Sequence, residues 1–207
     1  DAPATGTKWY AYCTNEKEDA WFNYQTYFDA MDKDAVGEFI RVTHERYNEV
    51  IGDRFGKSVP AIFTDEPNAN HEKRMHPATP EYTGVQTYTW SRFFEEEYQK
   101  TYGEDILDKL PEIVWIKRDS SDSLTKYRYF DFIGEQFSVN FSKQIGDWCE
   151  KHNIAFTGHY LREPDLVTQA IIGKGGQIIP TGIFVRAVME GIERFVIAAK
   201  ADILGSR

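Results

Sequence analysis

Apolar positions recur along this chain at two spacings, which divide it into alternating extended and helical stretches. The run Lys8-Trp9-Tyr10-Ala11-Tyr12-Cys13 is short, aromatic and closed by the polar stretch Thr14 to Asp19, so it reads as a strand. A second extended piece is expected at Tyr24 to Phe28. Asp32 then stands where a helix N-cap belongs, with Asp34 in the first turn. Val36, Phe39, Ile40, Tyr47 and Val50 follow at helical steps, with Thr43 in the middle of the face and Gly52 as the stop. Ser58 to Thr64 is a compact apolar run of strand length, and Pro60 is tolerable near its start. Asp65, Glu66 and Pro67 come directly after it, and a long polar loop carrying His71 and His76 follows.

Helical spacing then returns. Trp90, Phe93, Phe94 and Tyr98 form one stripe, ended by Gly103, and Ile106, Leu107 and Leu110 make a short helix before Pro111. The longest pattern runs from about Asp122 to His152, with Leu124, Tyr127, Phe130, Phe137, Phe141, Ile145 and Trp148 near one face and Gly134 as a weak point. After Asn153, Ile154 to Tyr160 reads as the next strand. Strand, helix, strand, helical excursion, strand is the alternation of an α/β protein with a parallel sheet. In such folds sites are built at the C-terminal ends of strands, where Glu66 and His159 fall.

Charge and composition narrow the range of functions. The 207 residues carry a formal net charge of −9, which argues against nucleic acid, whose phosphates need a basic face. No apolar run approaches the roughly 20 residues of a membrane span. Aromatic residues make up 15% of the chain, enough for a ring-rich core and for platforms on which sugar rings can stack. The two cysteines, Cys13 and Cys149, match no metal or redox spacing, and Cys149, in an apolar stripe, reads as a small buried residue. Beyond about Ala170 the character changes: residues 171–207 carry a net charge of +2, leaving −11 on the first 170. Of the aromatic residues only Phe184 and Phe195 fall there.

Paired carboxylates are the strongest chemical signal. Glycoside hydrolysis commonly uses two, one protonating the leaving oxygen and the other attacking the sugar or activating water. Glu66 sits where a strand hands over to a loop, beside Asp65. Two carboxyls held close disfavour each other's ionisation, which suits one of them to proton donation. Glu163, four residues after His159, is the candidate partner, because acids at the ends of strands about 4.8 Å apart can come within the roughly 5–9 Å that glycosidases use. Asp65, His159 and Asp29 are candidate substrate-binding residues, although Asp65 and Glu66 read equally as the start of a solvated loop and His159 as a buried, satisfied histidine. Other patterns fail on spacing. His71 and His76 are five apart, which is wrong for a zinc protease, and the glycines around Lys174 do not form a phosphate loop. No nucleophile-elbow signature occurs.

The stretches Tyr27 to Met31, Phe39 to Tyr47, Phe55-Gly56-Lys57, Val59 to Pro67, Tyr102-Gly103 with Asp105 to Pro111, Trp148 to His152, and Thr157-Gly158-His159 with Glu163 carry a family likeness. Together they resemble the catalytic barrel of large bacterial glycoside hydrolases of the α-L-rhamnosidase type, over about residues 8–170. Phe63 to Pro67 and Thr157 to His159 are the most specific parts. The resemblance implies a partial (β/α)8 TIM-type barrel acting on a terminal sugar of a glycan, with Glu66 and Glu163 on catalytic motif positions. It further implies a carbohydrate substrate, a larger multidomain parent chain, and calcium near the carboxylates as an option, since some such enzymes are calcium-assisted. Residues 1–170 are thus expected to form the partial catalytic barrel. Ile171 to Arg207 departs from the family pattern as a divergent tail, through a shifted reading frame or through real divergence. The alternative reading is a non-catalytic carbohydrate-binding or structural barrel fragment, because an incomplete barrel need not turn over substrate.

Overall fold

The computed structural model describes residues 10–15, 17–67, 69, 88–114 and 123–159, with backbone alone at Trp21 and His159. Asp32 caps the first helix as its sequence position predicts: its Oδ1 accepts from the backbone N–H of Asp34 at 2.9 Å and of Ala35 at 3.3 Å. Helix α1 (Lys33–Phe39) runs without a break through a π turn (Ile40–His44) into α2 (Glu45–Ile51). The π turn is closed by the Glu45 N–H donating to the Ile40 carbonyl, and the Thr43 hydroxyl donates to the Phe39 carbonyl within it. One extra residue in a turn rotates everything after it by about 100°. Val36, Ile40 and His44 are therefore buried, while Tyr47 and Val50, expected on the same face, stand 59% and 71% exposed.

Strand β1 (Ala61–Asp65) starts directly after Pro60, and helix α3 (Phe94–Tyr102) buries Phe94 and Tyr98. Gly103 ends α3 in the left-handed conformation at φ 70°, where its N–H donates to the Gln99 carbonyl. Helix α4 (Leu110–Val114) holds Pro111 in its first turn, where the missing N–H has no intrahelical partner to lose, so the helix continues past the proline rather than stopping before it. Ser123 caps α5 (Leu124–Phe137), which passes through a second π turn (Ser138–Lys143) into α6 (Gln144–Lys151). Gly134 is buried and does not interrupt α5; the irregularity lies in the turn that follows. Strand β2 (Ala155–His159) then pairs with β1 in parallel, in the register Ala61↔Ala155 through Asp65↔His159.

The core is a continuous ring cluster between these helices. Phe94 packs at centroid distances of 4.8 Å on Phe132 and 5.4 Å on Tyr129. Phe28 stacks on Phe39 and reaches Phe141, and Trp148 meets His44 and Phe55 edge-on. Polar ties cross the same interface: Asn140 Nδ2 donates to the Met31 carbonyl at 2.7 Å, Gln144 Nε2 to the Lys33 carbonyl at 3.1 Å, and Trp148 Nε1 to Glu45 Oε1 at 2.8 Å.

The expected partial (β/α)8 barrel is not what the described residues form. They are mostly helical, with a single two-stranded parallel sheet. Three observations account for the difference. Residues 10–13 of the proposed opening strand pair with nothing regular, and Tyr10 and Tyr12 are 81% and 72% exposed. Tyr24 to Phe28 contributes one isolated antiparallel bridge, Asp19 to Gln25, next to positive φ values at Asn23 and Tyr24 that break an extended ladder. Between β1 and β2 the described residues carry helical periodicity alone, and the two strands pair directly with each other. The alternation was correct for these two strands and did not multiply into a barrel. Residues 160–207, which contain the proposed 171–207 tail, lie outside the described residues.

Candidate functional site

Parallel pairing puts the C-terminal ends of β1 and β2 at one edge, with Asp65 and His159 as register partners. The close approach depends on Gly158. Its φ is 146°, and a Cβ there would lie 2.0 Å from the Thr64 carbonyl oxygen and 2.7 Å from Thr64 Cγ2. Only glycine fits a backbone held this near a neighbouring carbonyl.

Glu66 takes the chain out of the strand. Its φ of 46° is left-handed, uncommon for a residue with a side chain and a source of local strain. The strand ends at Asp65, so the alternation that would send Asp65 and Glu66 to opposite faces does not extend through Glu66. Both residues are exposed, and Pro67 immediately after them is buried, anchoring the turn.

His159 is placed by its backbone at the end of β2. Glu163, the expected second carboxylate, lies outside the described residues, as do His71 and His76. Asp29 is half-buried and engaged in the turn before α1: its Oδ1 accepts from the Met31 N–H at 2.9 Å and its carbonyl from the Asp32 N–H. That role is structural and leaves Asp29 fixed to the entry of α1. The structure thus brings Asp65, Glu66 and the His159 backbone together at one sheet edge.

Sequence reasoning missed several charged and polar positions. Arg92 reaches Asp32 at 2.6 Å and Asp34 at 3.0 Å, tying the segment before α3 to the start of α1. Burial alone would raise the pKa of Asp32, but the Arg92 hydrogen bond and the Asp34 and Ala35 N–H groups outweigh it, and the pKa is lowered. His44 is enclosed by Phe39 and Trp148 and shares a 2.8 Å hydrogen bond with Thr43 Oγ1. Burial pushes its pKa down to about 4, against the raising influence of Glu45. Burial likewise pushes the Cys149 thiol up to about 12, an inert buried sulfur of the kind its stripe position predicts. No local sequence signal marks Arg92 or His44, because each acquires its role from residues far away or from the π turn.

Among the described residues no group of three or more His, Cys, Asp or Glu gathers as a metal cage. Among the described residues no helix is long and apolar enough to cross a membrane. Compared with protein-family models, with curated proteins and with solved structures, the chain matches none of them significantly.

Proposed function

We propose that the chain belongs to a glycoside hydrolase that cleaves a terminal sugar from a glycan by carboxylate acid/base catalysis. Glu66 is the proton donor and Glu163 its partner. The observation that carries the reading is the placement of Asp65 and Glu66 at the C-terminal edge of a parallel strand pair, opposite His159. A strand-end turn fixes a carboxylate on a rigid element while leaving it accessible, which is what proton donation to a glycosidic oxygen requires. The strain at Glu66 supports the same reading, since costly backbone is concentrated at functional sites. The likeness of Phe63 to Pro67 and of Thr157 to His159 to α-L-rhamnosidase-type enzymes adds to it.

In this reaction the Glu66 carboxyl protonates the departing oxygen as the glycosidic bond breaks. The Glu163 carboxylate either attacks the anomeric carbon or removes a proton from the attacking water. Asp65 and His159 hold sugar hydroxyls. The test is turnover of a glycan with a poor leaving group by the Glu66→Gln protein. A loss of at least about 100-fold is expected, the usual contribution of a positioned acid. Turnover equal to that of the unaltered chain would exclude Glu66 as the donor.

A further inference from the structure

Strand β1 divides its side chains between two faces. Ile62 and Thr64 alternate with Ala61, Phe63 and Asp65, and the parallel register sets Phe156 beside Ile62 and Thr157 beside Phe63. The face carrying Ile62 and Phe156 lies against the helical core: Phe156 is 5% exposed, and Ile62 packs on the same cluster. The opposite face is open along β1, where Phe63 is 51% exposed and Asp65 is exposed too. It is closed along β2, where Thr157 is buried. Among the described residues, Phe63 is the one exposed large apolar side chain on a strand.

Single exposed rings are ordinary on a protein surface. The position of this one is not. Successive residues on one face of a strand stand roughly 6.6 Å apart, twice the rise per residue. The Phe63 ring therefore lies about a sugar ring's width before Asp65, with Glu66 in the turn just beyond. A ligand on this strip meets an apolar surface first and carboxylate oxygens next. A wholly apolar segment laid along it would take those carboxylates out of water with no hydrogen bonds in return, which is costly. A pyranose matches both parts: its C–H groups lie against an aromatic ring, and its hydroxyls donate to carboxylate oxygens.

We propose that Phe63 is a substrate-binding residue of the same site, supplying the apolar surface against which the sugar ring packs while a hydroxyl of that ring reaches Asp65. The proposal rests on the glycosidase reading of Glu66. Phe63 touches the sugar and takes no part in proton transfer. Its loss weakens binding of substrate and transition state alike, which raises KM and leaves kcat nearly unchanged.

The test is isothermal titration calorimetry and methanol release on the full chain with a panel of methyl α- and β-pyranosides, whose methoxide is a poor leaving group. At least one pyranoside is expected to bind and to be cleaved. Phe63→Leu keeps an apolar side chain but loses the flat ring. It is expected to raise Kd and KM for that sugar about ten-fold, with kcat within about two-fold. Phe63→Tyr keeps the ring and is expected to keep the affinity. Both variants are expected to unfold at the temperature of the unaltered chain, because the helical core lies on the other face of β1. Absence of binding by every pyranoside would overturn the proposal, as would unchanged affinity in Phe63→Leu. So would equal loss of affinity in Phe63→Leu and Phe63→Tyr with a lower unfolding temperature, which would mean that the ring packs under the chain itself. Full turnover by Glu66→Gln would remove the acid/base reading and this proposal with it. Turnover lost in Glu66→Gln, while Phe63→Leu binds and cleaves like the unaltered chain, would overturn the role of Phe63 alone.

Discussion

At the scale of single residues, the sheet edge turns on Gly158 as much as on Glu66. An alanine at Gly158 would meet the Thr64 carbonyl at 2.0 Å and would have to hold φ near 146°. The backbone strain alone is of order 1–3 kcal/mol, and the clash forces β1 and β2 apart directly beside Asp65 and Glu66. Gly158→Ala is therefore expected to destabilise the protein by at least about 2 kcal/mol in urea unfolding. On the proposed glycosidase reaction it should also lower turnover. Unaltered stability would mean that the two strands do not approach as described. The strand-end position of Glu66 was legible, because an acid directly after an apolar strand-length run is a recognisable pattern. Gly158 was visible as part of Thr157-Gly158-His159, but its task was not, because the atom that excludes a side chain belongs to a strand more than ninety residues earlier.

At the scale of elements, helix starts and stops were the most legible features. Asp32 with Asp34, Gly103, and the end of the long helix near Asn153 all carry local capping chemistry, and the structure uses them. The faces were less legible, and the π turns explain where. Leu124 and Tyr127, expected inside, are 58% and 59% exposed, while Thr125, Tyr129, Phe132 and Ile133 are buried. Phe141, within the Ser138–Lys143 turn, and Ile145 and Trp148, beyond it, lie inside as expected. A stripe extrapolated at 3.6 residues per turn through an inserted residue must fail on one side of it. The other π turn buries His44 against Trp148, and a pH dependence follows. The folded pKa of His44 is lowered from 6.5 to about 4, so between those values the unfolded chain binds more protons. The stability from burying neutral His44 is fully present above about pH 6.5 and is lost as pH falls toward 4, up to about 3 kcal/mol. Urea unfolding at pH 7 and pH 4.5 should show this loss in the unaltered chain and a smaller one in His44→Gln. Identical pH profiles would show that His44 is not buried in its neutral form.

At the scale of the whole molecule, the sequence conveyed the parallel pairing of two strands and the helical excursion between them, but not how many strands there are. Aromatic runs such as Tyr10 to Cys13 have the composition of a strand, yet composition does not supply a partner for the ladder, and Tyr10 and Tyr12 stand exposed. Periodicity is a property of one segment; a barrel is a property of many segments pairing, and nothing local specifies it. The two architectures differ in a measurable way. As a central barrel strand, residues 10–13 would keep their amides hydrogen-bonded and exchange them slowly. In the helical arrangement with a two-stranded sheet, they have no regular partners and exchange near the unprotected rate. The slowest amides should instead be those of Tyr129 to Cys149, whose side chains include Phe132, Phe137, Phe141 and Ile145 at the centre of the ring cluster. Native-state hydrogen exchange followed by NMR or mass spectrometry resolves both segments in one experiment. Fast exchange at residues 10–13 with the slowest exchange within 129–149 is the expected pattern. Protection of residues 10–13 equal to that of Ala61 to Asp65 would restore the opening strand and refute the helical organisation described for this chain.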